Sequence, residues 1–316
     1  MSESLPGGLR YSVLGGARSG LAVAQLLAAR GAMVFLSDSA APEKMRSAAA
    51  ALDTIGVAYE FGVNSRRVLD AETVVVSPGV PSDAPLVKEA LATGIGVVSE
   101  LEVASWFCPA PVVAITGTNG KTTTTVLTGR MFSDARMASV VAGNIGTAFS
   151  EVVGNLRGDA VAVLEVSSFQ LDFIRSFRPK VAAILNITPD HLDRYGHSFE
   201  NYIAAKERVF ANQGTGDMLI YNADDDVTAK AVKRDVAPPV QLLPFSIRQP
   251  LGEGAFLSGG VLTVAAGGKR HEIVRADAIS IRGEHNLANA MAASLAAIVM
   301  GVPPASVRAT LKNFKG

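Results

Sequence analysis

Cysteine is almost missing: the 316-residue sequence holds one, Cys108, so no disulfide can form within the chain. Net charge is missing too, with 29 Lys and Arg against 29 Asp and Glu. Without a basic surplus, neither nucleic acid nor an anionic membrane is expected as the main partner, and any anion site must be local. No apolar run reaches spanning length; residues 287–302 come nearest, but are too short and follow a polar loop. Residues 1–10 lack the apolar centre of a signal peptide. Membrane insertion is therefore not expected, and a reducing cytoplasm is. Internal repeats and low-complexity segments are absent as well. What remains is a core-forming composition, 48% hydrophobic against 18% charged, over a length that suits two domains.

The most informative stretch is residues 112–122, Val-Val-Ala-Ile-Thr-Gly-Thr-Asn-Gly-Lys-Thr. Its apolar run predicts a buried strand, and residues 122–132 predict the helix behind it. Between them lies a phosphate loop, Gly117, Thr118, Asn119, Gly120, Lys121, Thr122 and Thr123, whose backbone N–H groups and helix N-terminus face an anion. Lys121 is placed to reach the β- and γ-phosphates of a nucleotide, and the Thr122 hydroxyl to bind Mg²⁺. The general P-loop pattern would put a further glycine where Ile115 stands, so this loop is a variant.

Upstream, strand-like runs at 11–14, 33–37, 57–61, 73–77 and 95–99 alternate with Ala- and Leu-rich helices, which predicts parallel βαβ units. Gly15-Gly-Ala-Arg-Ser19-Gly20 opens a helix over 21–29, and Asp38 follows the second run. The pattern approaches a dinucleotide fingerprint but has Ala17 where a glycine belongs, which allows pyrophosphate and does not indicate NAD. Ser77-Pro78-Gly79 makes a turn at a strand's carboxyl end, where open α/β sheets place ligands. Pro109-Ala-Pro111 marks the boundary between domains at 1–109 and 110–316. Further strands are expected at 138–142, 161–165, 181–186 and 218–222. A hairpin is expected at 255–264, and a helix over 287–300 after a loop at 282–286. The fold class is α/β: a Rossmann-like parallel-sheet domain, then a P-loop ATPase-type domain with a small β-rich portion.

Four polar positions stand out downstream. Glu165 ends an apolar run and reads either as a satisfied strand end or as a Mg²⁺ ligand facing the phosphate loop. His191 sits among Asp190, Asp193 and Arg194 after a neighbouring strand. Lys206 falls on the apolar face of a helix over 199–210; its ammonium either snorkels to water or is held neutral by burial. Asn286 and Asn289 share a helix face and can offer amides to a base or ribose, with helix capping by Asn286 as the alternative.

With these residues in view, the chain resembles the Mur ligase family over essentially its whole length. The most specific matches are Gly117-Thr-Asn-Gly-Lys-Thr122, Gly143-Asn-Ile-Gly146, Glu165-Val-Ser-Ser-Phe-Gln-Leu171, residues 186–195, Ala204-Ala-Lys206 and Gly283-Glu-His-Asn-Leu-Ala-Asn289. The Ser-Ser-Phe-Gln-Leu and Asp-Arg-Tyr stretches resemble the branch that adds D-glutamate. The resemblance implies an ATP-dependent amide ligase that joins D-glutamate to UDP-N-acetylmuramoyl-L-alanine through an acyl phosphate, in peptidoglycan precursor synthesis. It implies Ser19 and Gly20 near the diphosphate, Asp38 near the uracil, Ser77, Pro78 and Gly79 lining that site, and Asn144 at the sugar-peptide end. Lys121, Thr122 and Glu165 would serve ATP and a first Mg²⁺. His191 and Lys206, the latter as its CO₂ adduct, would hold a second, and Asn286 and Asn289 would approach the adenine. A monomer is expected. The family's third, C-terminal domain, which carries much of the D-glutamate site, does not lie within these 316 residues, so the chain alone is expected to be inactive or nearly so in ligation. The alternative is a non-catalytic UDP-sugar or nucleotide-binding module, against which the intact Lys121, Thr122, Glu165, His191 and Lys206 argue.

Overall fold

The computed structural model describes Leu5, residues 8–236 and residues 239–315. It divides into two compact units. The first comprises the described residues within Met1–Cys108 together with two later excursions, Thr147–Leu156 and Phe169–Phe177. The second comprises Pro109–Gly146, Arg157–Ser168 and the described residues of Arg178–Gly316.

In the first unit, β1 (Arg10–Leu14), β2 (Met33–Asp38), β3 (Ala58–Phe61), β4 (Thr73–Val76) and β5 (Gly96–Ser99) form one parallel sheet in the order β3-β2-β1-β4-β5. The strand order turns back between β1 and β4, which leaves a crevice beyond their carboxyl ends. The helix after β1 starts at Arg18, three residues earlier than its apolar pattern suggests. Two neighbouring acidic residues of the helix Glu100–Trp106 hold the excursions in place. Glu100 accepts from the Ser150 N–H at 2.7 Å and hydroxyl at 2.6 Å. Glu102 accepts from the N–H groups of Arg175, Ser176 and Phe177, the Ser176 hydroxyl and the Trp106 indole. Both carboxylates are buried, so each needs these donors.

The second unit is built on nine strands: β6 (Val112–Thr116), β7 (Ser139–Gly143), β8 (Val161–Glu165), β9 (Val181–Ile184), β10 (Met218–Asn222), β11 (Gln241–Ser246), β12 (Gly254–Ser258), β13 (Val261–Ala266) and β14 (Lys269–Arg275). Their order is β14-β13-β12-β11-β10-β9-β6-β8-β7. Strands β7 through β12 pair in parallel, and β13 and β14 continue antiparallel. The expected hairpin is β12–β13. The β-rich portion is thus an extension of the main sheet, and β11 and β14 were not expected. Pro244 sits inside β11 without an N–H to give the ladder. Its carbonyl would lie 1.8 Å from a Cβ on residue 254, so Gly254, at φ +108°, is the residue that fits. Helix Glu284–Val299 packs on helix Lys121–Asp134 and across β10 to β13, supplying the buried face from Ala290 to Ala297. Among the described residues no helix is long and apolar enough to cross a membrane.

Candidate nucleotide and substrate sites

The phosphate loop leaves the end of β6, whose five residues are all buried. Gly117 (φ +154°) and Gly120 (φ +83°) make the turn, and Lys121 begins the helix Lys121–Asp134. The loop is tied to the segment after β9. Thr118 N–H donates to Asn186 O at 2.9 Å, and the Thr188 N–H donates to Thr118 Oγ1 at 3.0 Å. Asn119 and Asn186 exchange a pair of bonds, Asn119 N to Asn186 Oδ1 at 2.8 Å and Asn186 Nδ2 to Asn119 O at 3.0 Å. Strand β9 ends at Ile184, two residues earlier than expected, and the freed residues do this tying.

Glu165 ends β8 beside β6 and is 3% exposed. Its carboxylate accepts from the Thr122 hydroxyl at 2.7 Å and from Asn144 Nδ2 at 2.8 Å. Three expected site residues therefore meet. The Thr122 proton points at Glu165, which leaves hydroxyl lone pairs for a cation; hydroxyl plus carboxylate is a hard oxygen set that suits Mg²⁺. Lys121 folds back on its own loop and donates to the Gly117 and Thr118 carbonyls at 2.9 and 2.8 Å. Burial lowers its pKa from the ordinary value, with Glu165 and then Asp190 opposing.

Lys206 is 1% exposed, which removes the snorkelling alternative. Its ammonium donates to Gly117 O at 2.9 Å and lies 4.6 Å from the centre of the Tyr202 ring. Burial, with help from the Lys121 charge, brings its pKa down to about 7, against the attraction of Asp190. His191 lies at the surface in the left-handed region (φ +48°), its Nε2 3.6 Å from Asp190. Among the described residues no group of three or more His, Cys, Asp and Glu could hold a metal. A free Lys206 ammonium offers no lone pair to a cation.

A cavity of about 570 Å³ opens beside the loop. Asn119, Gly120 and Asn289 form one side, and Asn222, Asp224, Phe245, Ile247 and Arg248 another. Asn289 is buried against Gly120, where an added Cβ would meet its Oδ1 at 2.3 Å. The helix bearing it begins at Glu284, so Asn286 is not its cap; Asn286 Nδ2 instead donates to Arg282 O at 2.8 Å. Asn222, Asp224, Phe245 and Arg248 were missed because only the paired ends of β10 and β11 bring them together. Their signal was Asn222-Ala-Asp224-Asp225 directly after an apolar strand.

In the first unit, Asp38 accepts from Gly16 N at 2.5 Å and Ala40 N at 2.7 Å, so its carboxylate shapes the glycine turn. Ser77 Oγ donates to Gly15 O at 2.7 Å, and Val80 N–H closes the Ser77-Pro78-Gly79 turn on Ser77 O. A Cβ at Gly20 would lie 1.7 Å from Gly15 O, so only glycine lets the helix approach the turn. Ser19 is half-buried on the first turn of that helix. Asp38 and Ser77 thus both hold the Gly15-Gly16 turn.

Residues 115–297 match the Mur ligase middle domain, and residues 10–99 match the Mur ligase MurD-like N-terminal domain. The UDP-N-acetylmuramoylalanine–D-glutamate ligase of Salinibacter ruber is 47% identical over 314 residues, covering 97% of this chain and 68% of that protein. The enzyme of the same name from Chloroherpeton thalassium is 40% identical over 323 residues, covering 98% and 69%. The chain therefore spans about two thirds of the length of these curated relatives. Among solved structures, a UDP-N-acetylmuramate:L-alanyl-γ-D-glutamyl-meso-diaminopimelate ligase from Neisseria meningitides superposes with a TM-score of 0.64 at 17% identity, covering 97% of this chain and 98% of that one. A Thermotoga maritima UDP-N-acetylmuramate–alanine ligase gives 0.55 at 22%, covering 97% and 69%; at these identities both speak to fold. On the matches to both domains and the 40–47% identity, the chain belongs to the Mur ligase family.

Proposed function

We propose that the chain carries the ATP-binding and first-substrate machinery of a ligase that joins D-glutamate to UDP-N-acetylmuramoyl-L-alanine in the cytoplasm, during peptidoglycan precursor synthesis. The observation that carries it is the meeting of Thr122, Glu165 and Asn144 beside the phosphate loop, in a chain 40–47% identical to ligases of that name. The turn made by Gly15, Asp38 and Ser77 takes the UDP end. Asn289 takes the adenine in the 570 Å³ cavity, with Asn286 accepting from its amide one turn back, and the loop N–H groups take the phosphates.

The chemical difficulty is that a carboxylate must attack a phosphate, anion against anion. Lys121 answers by exchanging the Gly117 and Thr118 carbonyls for phosphoryl oxygens, where its charge is worth most in the transition state. Mg²⁺ on the Thr122 hydroxyl and the Glu165 carboxylate would supply further positive charge to the phosphate oxygens. Asn144, held on Glu165, is set to orient the L-alanyl end of the substrate. The acyl phosphate that results has a good leaving group, and the D-glutamate amine displaces it to give amide, ADP and phosphate. Burial brings the Lys206 pKa to about 7, so near neutral pH a neutral fraction of the amine is present to add CO₂, and the carbamate would give His191 an anionic oxygen partner. The 316 residues alone are expected to bind substrates but to ligate weakly or not at all, since much of the D-glutamate site belongs to the family's third domain.

Calorimetric titration with UDP-N-acetylmuramoyl-L-alanine, UDP, MgADP and NADH tests the reading. Saturable binding of the first, weaker binding of UDP, binding of MgADP and none of NADH is expected. NADH binding without UDP binding would overturn the first-unit assignment.

A further inference from the structure

One band of hydrogen bonds crosses the ends of three neighbouring strands under the nucleotide cavity. It starts with the Asn119–Asn186 pair at the phosphate loop. Asn222 Nδ2 donates to Leu185 O at 3.0 Å, which ties the end of β10 to the segment after β9. Asn222 Oδ1 also accepts from Asp224 N at 2.9 Å and so orients the next carboxylate. Asp224 reaches the other way: Oδ1 accepts from the Ser246 hydroxyl at 2.6 Å and Oδ2 from Ile247 N at 2.7 Å. Its backbone carbonyl accepts from the Arg248 guanidinium at 3.5 Å. Phe245, Ile247 and Arg248 are the cavity wall opposite Asn289.

We propose that Asp224 is a positioning residue that fixes this wall, and so sets the fit of the nucleoside part of the nucleotide, while the phosphates are governed separately by the loop. The inference rests on the cavity being the nucleotide site. The chemistry supports a carboxylate in particular. Ser246 Oγ already accepts from Arg248 N and Gln249 N, both at 3.1 Å, so its own proton needs an acceptor. Ile247 N needs one too. Only a group with two acceptor oxygens satisfies both donors. An amide at 224 would turn its NH₂ on one of them, leaving a donor facing a donor and releasing that part of the wall.

The test compares two probes on Asp224→Asn: MgADP, which needs the wall, and inorganic tripolyphosphate, which needs only the loop. The expected result is about a tenfold weaker MgADP affinity with tripolyphosphate affinity unchanged. Equal losses for both probes, or no loss for either, would overturn the proposal. Should Asp224→Asn fail to fold, Ser246→Ala removes the bond to Asp224 together with the acceptor of the Arg248 and Gln249 N–H groups, and a selective loss of MgADP affinity of at least about two- to threefold is then expected; an unchanged ratio of the two affinities overturns the proposal equally. If the unaltered chain binds neither probe, it is the nucleotide assignment of the cavity that falls.

Discussion

Lys206→Met should make the second unit more stable at neutral and acidic pH, although it removes a hydrogen bond. The ammonium is 1% exposed, and burial brings its pKa from 10.5 to about 7. In the unfolded chain the amine binds its proton up to about pH 10.5, whereas in the fold it gives the proton up near pH 7. Folding therefore carries the full cost of burying charge below about pH 7. The cost shrinks as pH rises and vanishes above 10.5. At about 1.4 kcal/mol per pH unit this is on the order of 5 kcal/mol. Met has nearly the same length and no charge, and Gly117 O keeps the Lys121 ammonium as its donor. Scanning calorimetry at pH 6, 8 and 9.5 is the assay. The variant should gain a few kcal/mol at pH 6 and progressively less at the higher values. A variant less stable than the parent at every pH, or a gain that does not change with pH, would refute the idea that a desolvated charge sits at this position.

Three further outcomes follow from the geometry. Glu165→Gln should lower MgADP affinity about tenfold or more while leaving metal-free ADP binding little changed, measured by titration with and without Mg²⁺. Gly120→Ala forces a Cβ to within 2.3 Å of Asn289 Oδ1 at φ +83° and should cost about 2 kcal/mol of stability along with nucleotide affinity, read by melting and MgADP titration. Glu102→Gln should cost about 3 kcal/mol, reported by fluorescence of Trp106, the chain's single tryptophan. Burial pushes the Glu102 pKa up, but Ser176, the Arg175 N–H and Trp106 together hold it below the ordinary value. Its contribution is therefore present above about pH 4.5 and lost as pH falls through the lowered value, and the Gln variant should lose that acid dependence.

The phosphate loop, the central parallel strands and the Lys206 face were legible because each is written in neighbouring residues: a glycine turn, an apolar run, a helical period. What escaped was set by partners distant in sequence. Strand β11 was hidden by Pro244, which reads as a breaker unless a glycine on β12 admits its carbonyl. Strand β14, Lys269–Arg275, is mostly charged and takes its place only by pairing with β13. Asp224 drew no reading, because its acceptor role depends on Ser246 and Ile247 at the end of the next strand. The excursions Thr147–Leu156 and Phe169–Phe177 carry short helices, and it is the packing of the first on the helices Arg18–Ala29 and Glu100–Trp106, with the bonds to Glu100 and Glu102, that joins them to the first unit.

That arrangement bears on synthesis. As the chain leaves the ribosome from its N-terminus, Glu100 emerges before Ser150, and Glu102 well before the N–H groups of residues 175–177 that it will accept. Until then Glu100 lacks its Ser150 donors, and Glu102 has the Trp106 indole without the N–H groups of residues 175–177. The first unit cannot close behind Pro109 and wait. It must hold open through the making of β6 to β8, and a fragment cut at the proline-bounded linker would retain the acidic pair without most of the donors that justify its burial.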